Sequence, residues 1–137
     1  AWETFRPWVE ARNPRMEYVV ALNLIAGTQI PAADRAWAGL MRHEARARHN
    51  HLLDGGAILC LPTTPFPAPI KDQPIPALDV VRDRITCLAA HGGLTGVPQV
   101  SIPGATVNGL PVGLSIIGRH GSDATLVAVA KAMEDMA

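Results

Sequence analysis

The residues of this sequence that could act as nucleophiles are few, and their surroundings favour structural roles. Cys87 and His91 are four residues apart on one face of a predicted helix, a spacing at which an imidazole can activate a thiol. The residues around Cys87 are apolar, however, and a thiol there normally behaves as a small hydrophobic group. Cys60 also lies in an apolar segment, and two cysteines are too few for a disulfide scaffold. We therefore predict two buried free thiols in a reducing compartment.

The serines also fit structural roles. Ser101 and Ser115 lie inside predicted strands, and Ser122 precedes a predicted helix. The sequence contains no Gly-x-Ser-x-Gly nucleophile elbow, no phosphate-binding Gly-x-x-x-x-Gly-Lys loop and no Cys-x-x-Cys pair. We predict buried hydroxyl groups at Ser101 and Ser115 and a helix cap at Ser122. No catalytic residue and no cofactor site is predicted.

The one concentration of basic residues lies between Arg42 and His51. His49 and His51 are two residues apart, so they face different sides of a helix, and no His-Glu-x-x-His spacing is present. Glu44 dilutes the positive charge, and a charge run on a helix is usually a solvated face. We therefore predict solvated histidines here, with neither a metal site nor a nucleic-acid interface.

A proline-rich loop is the best candidate for a ligand-binding segment. Four prolines fall between Pro62 and Pro69, which excludes a helix or an interior strand. The loop follows a predicted strand, and ligands of open α/β sheets bind at the carboxyl ends of strands. Thr64 and Phe66 are therefore candidate binding residues, with a stiff surface connector as the alternative. His91, in the last turn of its predicted helix, is either a pocket residue or, as we prefer, a charge stabilised by the helix dipole.

The composition indicates a globular protein of one domain. Of its 137 residues, 48% are hydrophobic and 18% are charged, which indicates a packed core. The 12 basic and 12 acidic side chains cancel, so no global field favours nucleic acid or an anionic membrane. No signal peptide opens the sequence, and no apolar run approaches the roughly 20 residues that span a bilayer. We expect a cytoplasmic protein without nucleic-acid or membrane partners.

The hydrophobic pattern predicts an α/β fold. The predicted helices cover residues 15–26, 34–54, 79–91 and 122–136, with Asp34 as the N-cap of the second. The predicted strands cover residues 57–61, 99–102 and 112–117, and Asn108-Gly109 supplies a tight turn between the last two. Those two strands lack polar alternation, so we expect both to be interior strands. Three strands alone would leave faces and edges of such a sheet uncovered, and the chain opens on core-type aromatic residues. We therefore expect it to be a piece of a larger sheet.

Two motifs resemble the C-terminal region of the amidase signature family. They are Gly-Val-Pro-Gln-Val-Ser-Ile-Pro at residues 96–103 and Gly-Leu-Pro-Val-Gly-Leu-Ser-Ile-Ile-Gly at residues 109–118, followed by Gly-Ser-Asp and a helix. The segment from Asp54 to Thr63 also resembles the family's Asp-x-x-Leu-x-Pro-Thr type motif. Within the family, the sequence is most similar to the branch of indole-3-acetamide hydrolases and carboxybiuret-type amidases. It departs from the pattern at Gly93, where many members have Asn.

The resemblance implies a fold, a reaction and partners. The fold would be the C-terminal part of a mixed β-sheet covered by helices, incomplete on its own. Members of the family hydrolyse carboxylic amides with a Ser, cis-Ser and Lys triad, and its parts lie in the N-terminal half of the family. The resemblance therefore implies that this chain is inactive alone and that its partners are the remainder of the amidase catalytic core and a small-molecule amide substrate. Thr64, Phe66 and His91 are then candidates for lining the substrate pocket.

A second hypothesis belongs to another functional class. The chain would be a standalone, non-catalytic module that binds a partner, or a second copy of itself, through an exposed sheet edge. A homo-oligomer is open under either hypothesis. The sequence does not identify the amide.

Overall fold

The computed structural model describes residues 2–135, so the predicted end of the last helix, at residue 136, lies outside the described residues. Within that range the chain forms five α-helices, a short 3-10 turn at Asp54–Gly56 and a three-stranded sheet. It divides into two compact units, one ending at Met41 and the other beginning at Arg42. The three candidate binding residues all belong to the second unit.

The first unit contains helices α1 (Trp2–Arg12) and α2 (Tyr18–Thr28) and the beginning of α3 (Ala32–Leu52). We predicted no element for the α1 segment, because its aromatic residues lack a helical period and Pro7 lies inside the helix. α2 begins at Tyr18, because the Glu17 carboxylate accepts the Val19 N–H at 2.9 Å and caps the helix there. Asp34 is not the N-cap of α3, because the Arg35 N–H already donates to the Pro31 carbonyl.

The second unit is built around strands β1 (Leu59–Pro62), β2 (Gln99–Val107) and β3 (Leu110–Ile117). Their order is β1-β3-β2, and both pairings are antiparallel. β2 and β3 form a hairpin whose turn, Asn108-Gly109, has positive φ at both residues, 52° and 75°. The expectation of two interior strands is confirmed for β3, which lies between β1 and β2. Among the described residues β2 pairs only with β3, and its segment 103–107, which extends past the short β1, is exposed, so an interior place for β2 in a larger sheet stays a prediction.

A β-bulge sets the register of the hairpin. Next to the turn, Val107 pairs with Leu110, whereas at the other end Ser101 pairs with Ser115. The register shifts by one residue between Pro103 and Ala105, so Gly104 has no partner opposite it. The shift decides which residues of the two strands face each other.

Each face of the sheet has its own apolar cluster. On one face, Ile102 and Ile116 pack against Leu126 of helix α5 (Asp123–Glu134), with Val100 and Met133 beside them. We call this the α5 face. On the opposite face, Ile117 packs against Leu53 and Val97, with Leu59 and Leu61 beside them.

The remaining helix, α4 (Ile75–Thr95), extends the predicted helix in both directions and ends at Gly96, whose φ is 81°. Its C-terminal end is held to α3, because Arg46 Nε donates to the Thr95 carbonyl oxygen at 2.9 Å. Ser122 occupies the N-cap position of α5 but does not cap it with its side chain, because the hydroxyl donates back to the Arg119 carbonyl at 2.6 Å.

Candidate functional site

Four polar side chains form a continuous hydrogen-bonded row on the face opposite α5, which we call the hydroxyl face. Ser101 Oγ lies 2.8 Å from Thr63 Oγ1, and Thr63 Oγ1 lies 3.0 Å from Ser115 Oγ. Ser115 Oγ in turn accepts a hydrogen bond from Gln99 Nε2 at 3.2 Å. The register places Ser101 directly opposite Ser115, with Gln99 two residues away on the same face. Thr63, which follows β1, thereby links that strand to both strands of the hairpin.

Thr63 can enter the row because residue 113 has no side chain. A Cβ at Gly113 would lie 2.8 Å from both Ser101 Oγ and Thr63 Oγ1, closer than real Cβ atoms approach. The backbone is also fixed at this point, since the Thr63 N–H donates to the Gly113 carbonyl at 2.8 Å. The row therefore requires glycine at position 113, because any larger residue would clash with the Ser101 and Thr63 hydroxyls.

A cavity of about 240 Å³ opens at the exposed end of the row. Thr64, Phe66 and Pro67 line it from the proline-rich loop, Ile85 lines it from α4, and Thr63 and Ser101 contribute hydroxyl groups. The Thr64 hydroxyl donates to the Phe66 carbonyl at 2.8 Å, which fixes the bend of the loop. The structure thus brings two of the three candidate binding residues, Thr64 and Phe66, together beside the hydroxyl row.

The third candidate, His91, is not among the residues that line this cavity and instead pairs with His49 of α3. His49 Nδ1 lies 2.9 Å from the Ala45 carbonyl oxygen, and because a carbonyl can only accept, that nitrogen carries the proton. His49 Nε2 is then an acceptor, and His91 Nδ1 donates to it at 2.9 Å. The two sequence predictions for these histidines are therefore wrong. His49 is part-buried rather than solvated, and α4 continues past His91 to Thr95.

The surroundings of His91 disfavour its charged form. Burial lowers the pKa of His91, and the positive charge that His49 can carry lowers it further. A dipole-stabilised charge, the role that we preferred for His91, would have required the opposite shift of this pKa.

The thiols and one serine also differ from prediction. Cys60 and Cys87 are both exposed, because Cys60 lies on the short β1 and Cys87 on a part of α4 that no described element covers. His91 Nδ1 is engaged by His49, and among the described residues no hydrogen bond joins His91 to Cys87. Ser115 is fully buried, as predicted, whereas Ser101 is exposed at the edge of the cavity.

Sequence reasoning did not identify Thr63, Gln99 and Gly113 as members of a site. One available signal was the two-residue spacing of Gln99 and Ser101, and of Gly113 and Ser115, which puts each pair on one face of a strand. Thr63 offered no comparable signal, because its partners lie 38 and 52 residues away in the sequence.

Two features are absent from residues 2–135. Over that range, no group of three or more His, Cys, Asp and Glu side chains is arranged to hold a metal ion. None of the helices described there has both the length and the apolar character needed to cross a bilayer.

Comparison with known proteins adds a family to this geometry. The sequence matches the family model described as Amidase over residues 3–127. It is 39% identical over 89 residues to Amidase 1 of Oryza sativa subsp. japonica, covering 65% of this chain and 20% of that protein. A solved structure described as an amidase superposes with a TM-score of 0.74 at 25% identity, covering 99% of this chain and 32% of that one. The allophanate hydrolase of Kluyveromyces lactis gives a TM-score of 0.72 at 26% identity, covering 93% and 21%.

In each case the match covers most of this chain but a minor part of the relative. Among three of the curated relatives that it matches, the chain spans 48%, 20% and 15% of their lengths. The comparison therefore places the fold of this chain inside larger proteins.

Proposed function

Because the chain belongs to the amidase signature family, we propose that it forms one wall of the substrate pocket of an amide hydrolase whose catalytic residues lie outside it. The reaction is hydrolysis of a carboxylic amide C–N bond by a Ser, cis-Ser and Lys triad. The observation that carries the proposal is the cavity beside the hydroxyl row, where Thr64 and Phe66 lie next to Thr63 and Ser101.

The chemistry of the cavity suits a small organic amide. Small-molecule sites are mostly apolar concavities in which a few polar groups fix the orientation of the ligand. Here Phe66, Pro67 and Ile85 supply apolar walls, and two hydroxyl groups lie at one end. In this proposal His91 does not contact the substrate; it positions the end of α4.

We further propose that the remainder of an amidase core covers this chain and that the chain alone is inactive. Large apolar side chains of the first unit are exposed in a way that is unusual for a free surface; they include Trp8, Tyr18, Ile25, Trp37 and Leu40. The alternative, a standalone module that binds through a sheet edge, has less support, because the match to the amidase family spans almost the whole chain.

The proposal is tested by measuring amide hydrolysis in the complete native protein and in residues 1–137 alone. The complete protein should release ammonia from primary amides, and the isolated chain should not. As a control, the isolated chain is mixed with the separately produced remainder of the protein. Activity regained in this mixture would show that residues 1–137 were inactive because the catalytic residues were missing. Turnover by residues 1–137 alone would contradict the proposal.

Phe66 tests the pocket more directly. Phe66→Ala in the complete protein should change the relative rates for aromatic and small aliphatic amides by about tenfold or more, because it removes one apolar wall. Phe5→Ala is the matched control, since Phe5 is the chain's other phenylalanine and is not among the residues that line the cavity. Unchanged relative rates across the panel would remove Phe66 from the pocket.

A further inference from the structure

The hydrogen bonds of the hydroxyl row can be assigned a direction from its inner end. The Gly92 N–H, inside α4, can only donate, and Gln99 Oε1 accepts from it in a long contact of 3.4 Å. This contact orients the Gln99 carboxamide so that its Nε2 donates to Ser115 Oγ. The direction of the row is therefore set at its inner end by a backbone amide of α4.

The direction propagates outward one hydroxyl at a time. Ser115 is completely buried, and among the described residues the acceptor for its proton is Thr63 Oγ1 at 3.0 Å. The Thr63 hydroxyl has a single proton, and among the described residues its available acceptor is Ser101 Oγ at 2.8 Å. Each hydroxyl accepts from the inner neighbour and donates to the outer one, an arrangement that strengthens every bond in the row.

The row ends in a donor directed at the cavity. Ser101 accepts from Thr63, so its own proton is available, and Ser101 is exposed where it lines the cavity. We infer that Ser101 donates a hydrogen bond to an acceptor oxygen of a neutral ligand with an apolar body, bound in this cavity. The inference depends on the proposed function only in regarding that ligand as a substrate.

The walls of the cavity select the class of ligand. Among the described residues that line it, none carries a charge. An anionic carboxylate would enter without a cation to compensate its desolvation, whereas a carboxamide oxygen is satisfied by one hydroxyl. A ligand head group that offers only donors would face the Ser101 proton without an acceptor. The cavity should therefore prefer a neutral carboxamide over both alternatives.

Benzamide, benzoate and benzamidine test this preference, because they share a phenyl body and a planar head group of the same size. Their binding to the complete native protein is measured directly, by calorimetry or ligand-observed NMR. Benzamide should bind most tightly, and Ser101→Ala should weaken it by about twofold to tenfold, the loss expected for one hydrogen bond, with a smaller loss for benzamidine, which can reach only the second lone pair of the hydroxyl. Ser101→Thr keeps a hydroxyl and should restore benzamide binding. Ser122→Ala, which removes a hydroxyl from outside the cavity, should change none of the three affinities.

Ser115→Ala tests the direction of the row separately from the contact itself. Ser115 does not line the cavity, so its loss should leave the walls in place but free Thr63 and Ser101 to rotate. The ratio of benzamide to benzamidine affinity should therefore fall. A ratio equal to that of the Ser122→Ala protein would overturn the inferred direction.

Other results overturn the inference as a whole. They are a benzamide affinity that does not depend on Ser101, an equal loss for benzamide and benzamidine, tightest binding of benzoate, or no binding of any probe. Hydrolysis is scored separately. If benzamide binding depends on Ser101 but no amide is hydrolysed, the proposed function is wrong and this inference stands. If amides are hydrolysed but benzamide binding does not depend on Ser101, the proposed function stands and this inference is wrong.

Discussion

The two faces of the sheet are made from the same strands but are packed differently. On the α5 face, Ile102, Ile116 and Leu126 are buried against one another without a polar side chain in the cluster. On the hydroxyl face, the buried apolar cluster lies around Leu53 and Ile117, and the polar row lies beside it. Alternation of side chains along a strand lets one hairpin supply a dry core on one side and a binding surface on the other.

The energies of the two faces should differ accordingly. Truncating a buried aliphatic side chain removes transfer free energy and leaves a cavity, at a cost of about 2–5 kcal/mol. Removing one partner of a hydrogen bond typically costs about 1 kcal/mol. The α5 face should therefore hold most of the stability of the second unit, and the hydroxyl face most of its chemistry.

The largest expected effect comes from Leu126. Leu126→Ala should lower the free energy of unfolding by about 2–5 kcal/mol, because the side chain is 1% exposed against Ile102 and Ile116. Val127→Ala, one residue further along α5 and 60% exposed, should change it by no more than about 0.5 kcal/mol. Urea unfolding of the complete protein measures both. Equal losses for the two variants would show that α5 does not close a dry core.

A smaller effect is expected on the hydroxyl face, at Gly113. Gly113→Ala forces a methyl group against Ser101 and Thr63 and should cost about 1–3 kcal/mol through displacement of the row. It should also abolish the preference for benzamide over benzamidine. The control is Gly93→Ala within α4, where an added Cβ meets no atom within 4 Å. That change should stabilise the protein, by about 0.5–1 kcal/mol. If both substitutions changed the free energy of unfolding in the same direction, steric crowding would not be the reason for a glycine at position 113.

The contrast between the faces was only partly predictable from the sequence. Apolar strands bounded by Gly and Pro predict the sheet, and Asn108-Gly109 predicts the hairpin turn. Counting back from that turn without a bulge would pair Ser101 with Ile116, whereas the bulge at Gly104 moves Ser115 opposite Ser101. A register shift of one residue therefore determines whether Ser101 pairs with Ser115, and no local sequence pattern predicts that shift.

The contacts between distant segments were also beyond local reasoning. His49 and His91 are 42 residues apart, on two helices whose relative position follows from tertiary packing. Each histidine alone fits a helix surface. The burial of His91 and its pairing with His49, which lower the pKa of His91, exist only once α3 and α4 are in place.

This histidine pair gives the smallest effect, and it concerns the end of α4 rather than α5. The pKa of His91 lies below its ordinary value of 6.5 in the folded protein, so the unfolded chain binds a proton more readily. The stability contributed by the neutral pair is therefore complete above the ordinary pKa and is lost as the pH falls below it.

Acid should accordingly loosen the end of α4 and leave α5 unchanged. We expect faster hydrogen exchange of amides in residues 88–95 as the pH falls below 6.5, after correction for intrinsic rates, with no such change in α5. His91→Asn should remove this pH dependence, whereas His43→Asn, which replaces an exposed histidine of α3, should keep it. If acid loosened both helices equally, or loosened α4 in the His91→Asn protein, the pair would not be what ties the end of α4 to α3. The hydrogen bond from Arg46 to the Thr95 carbonyl would then be a remaining tie between the two helices.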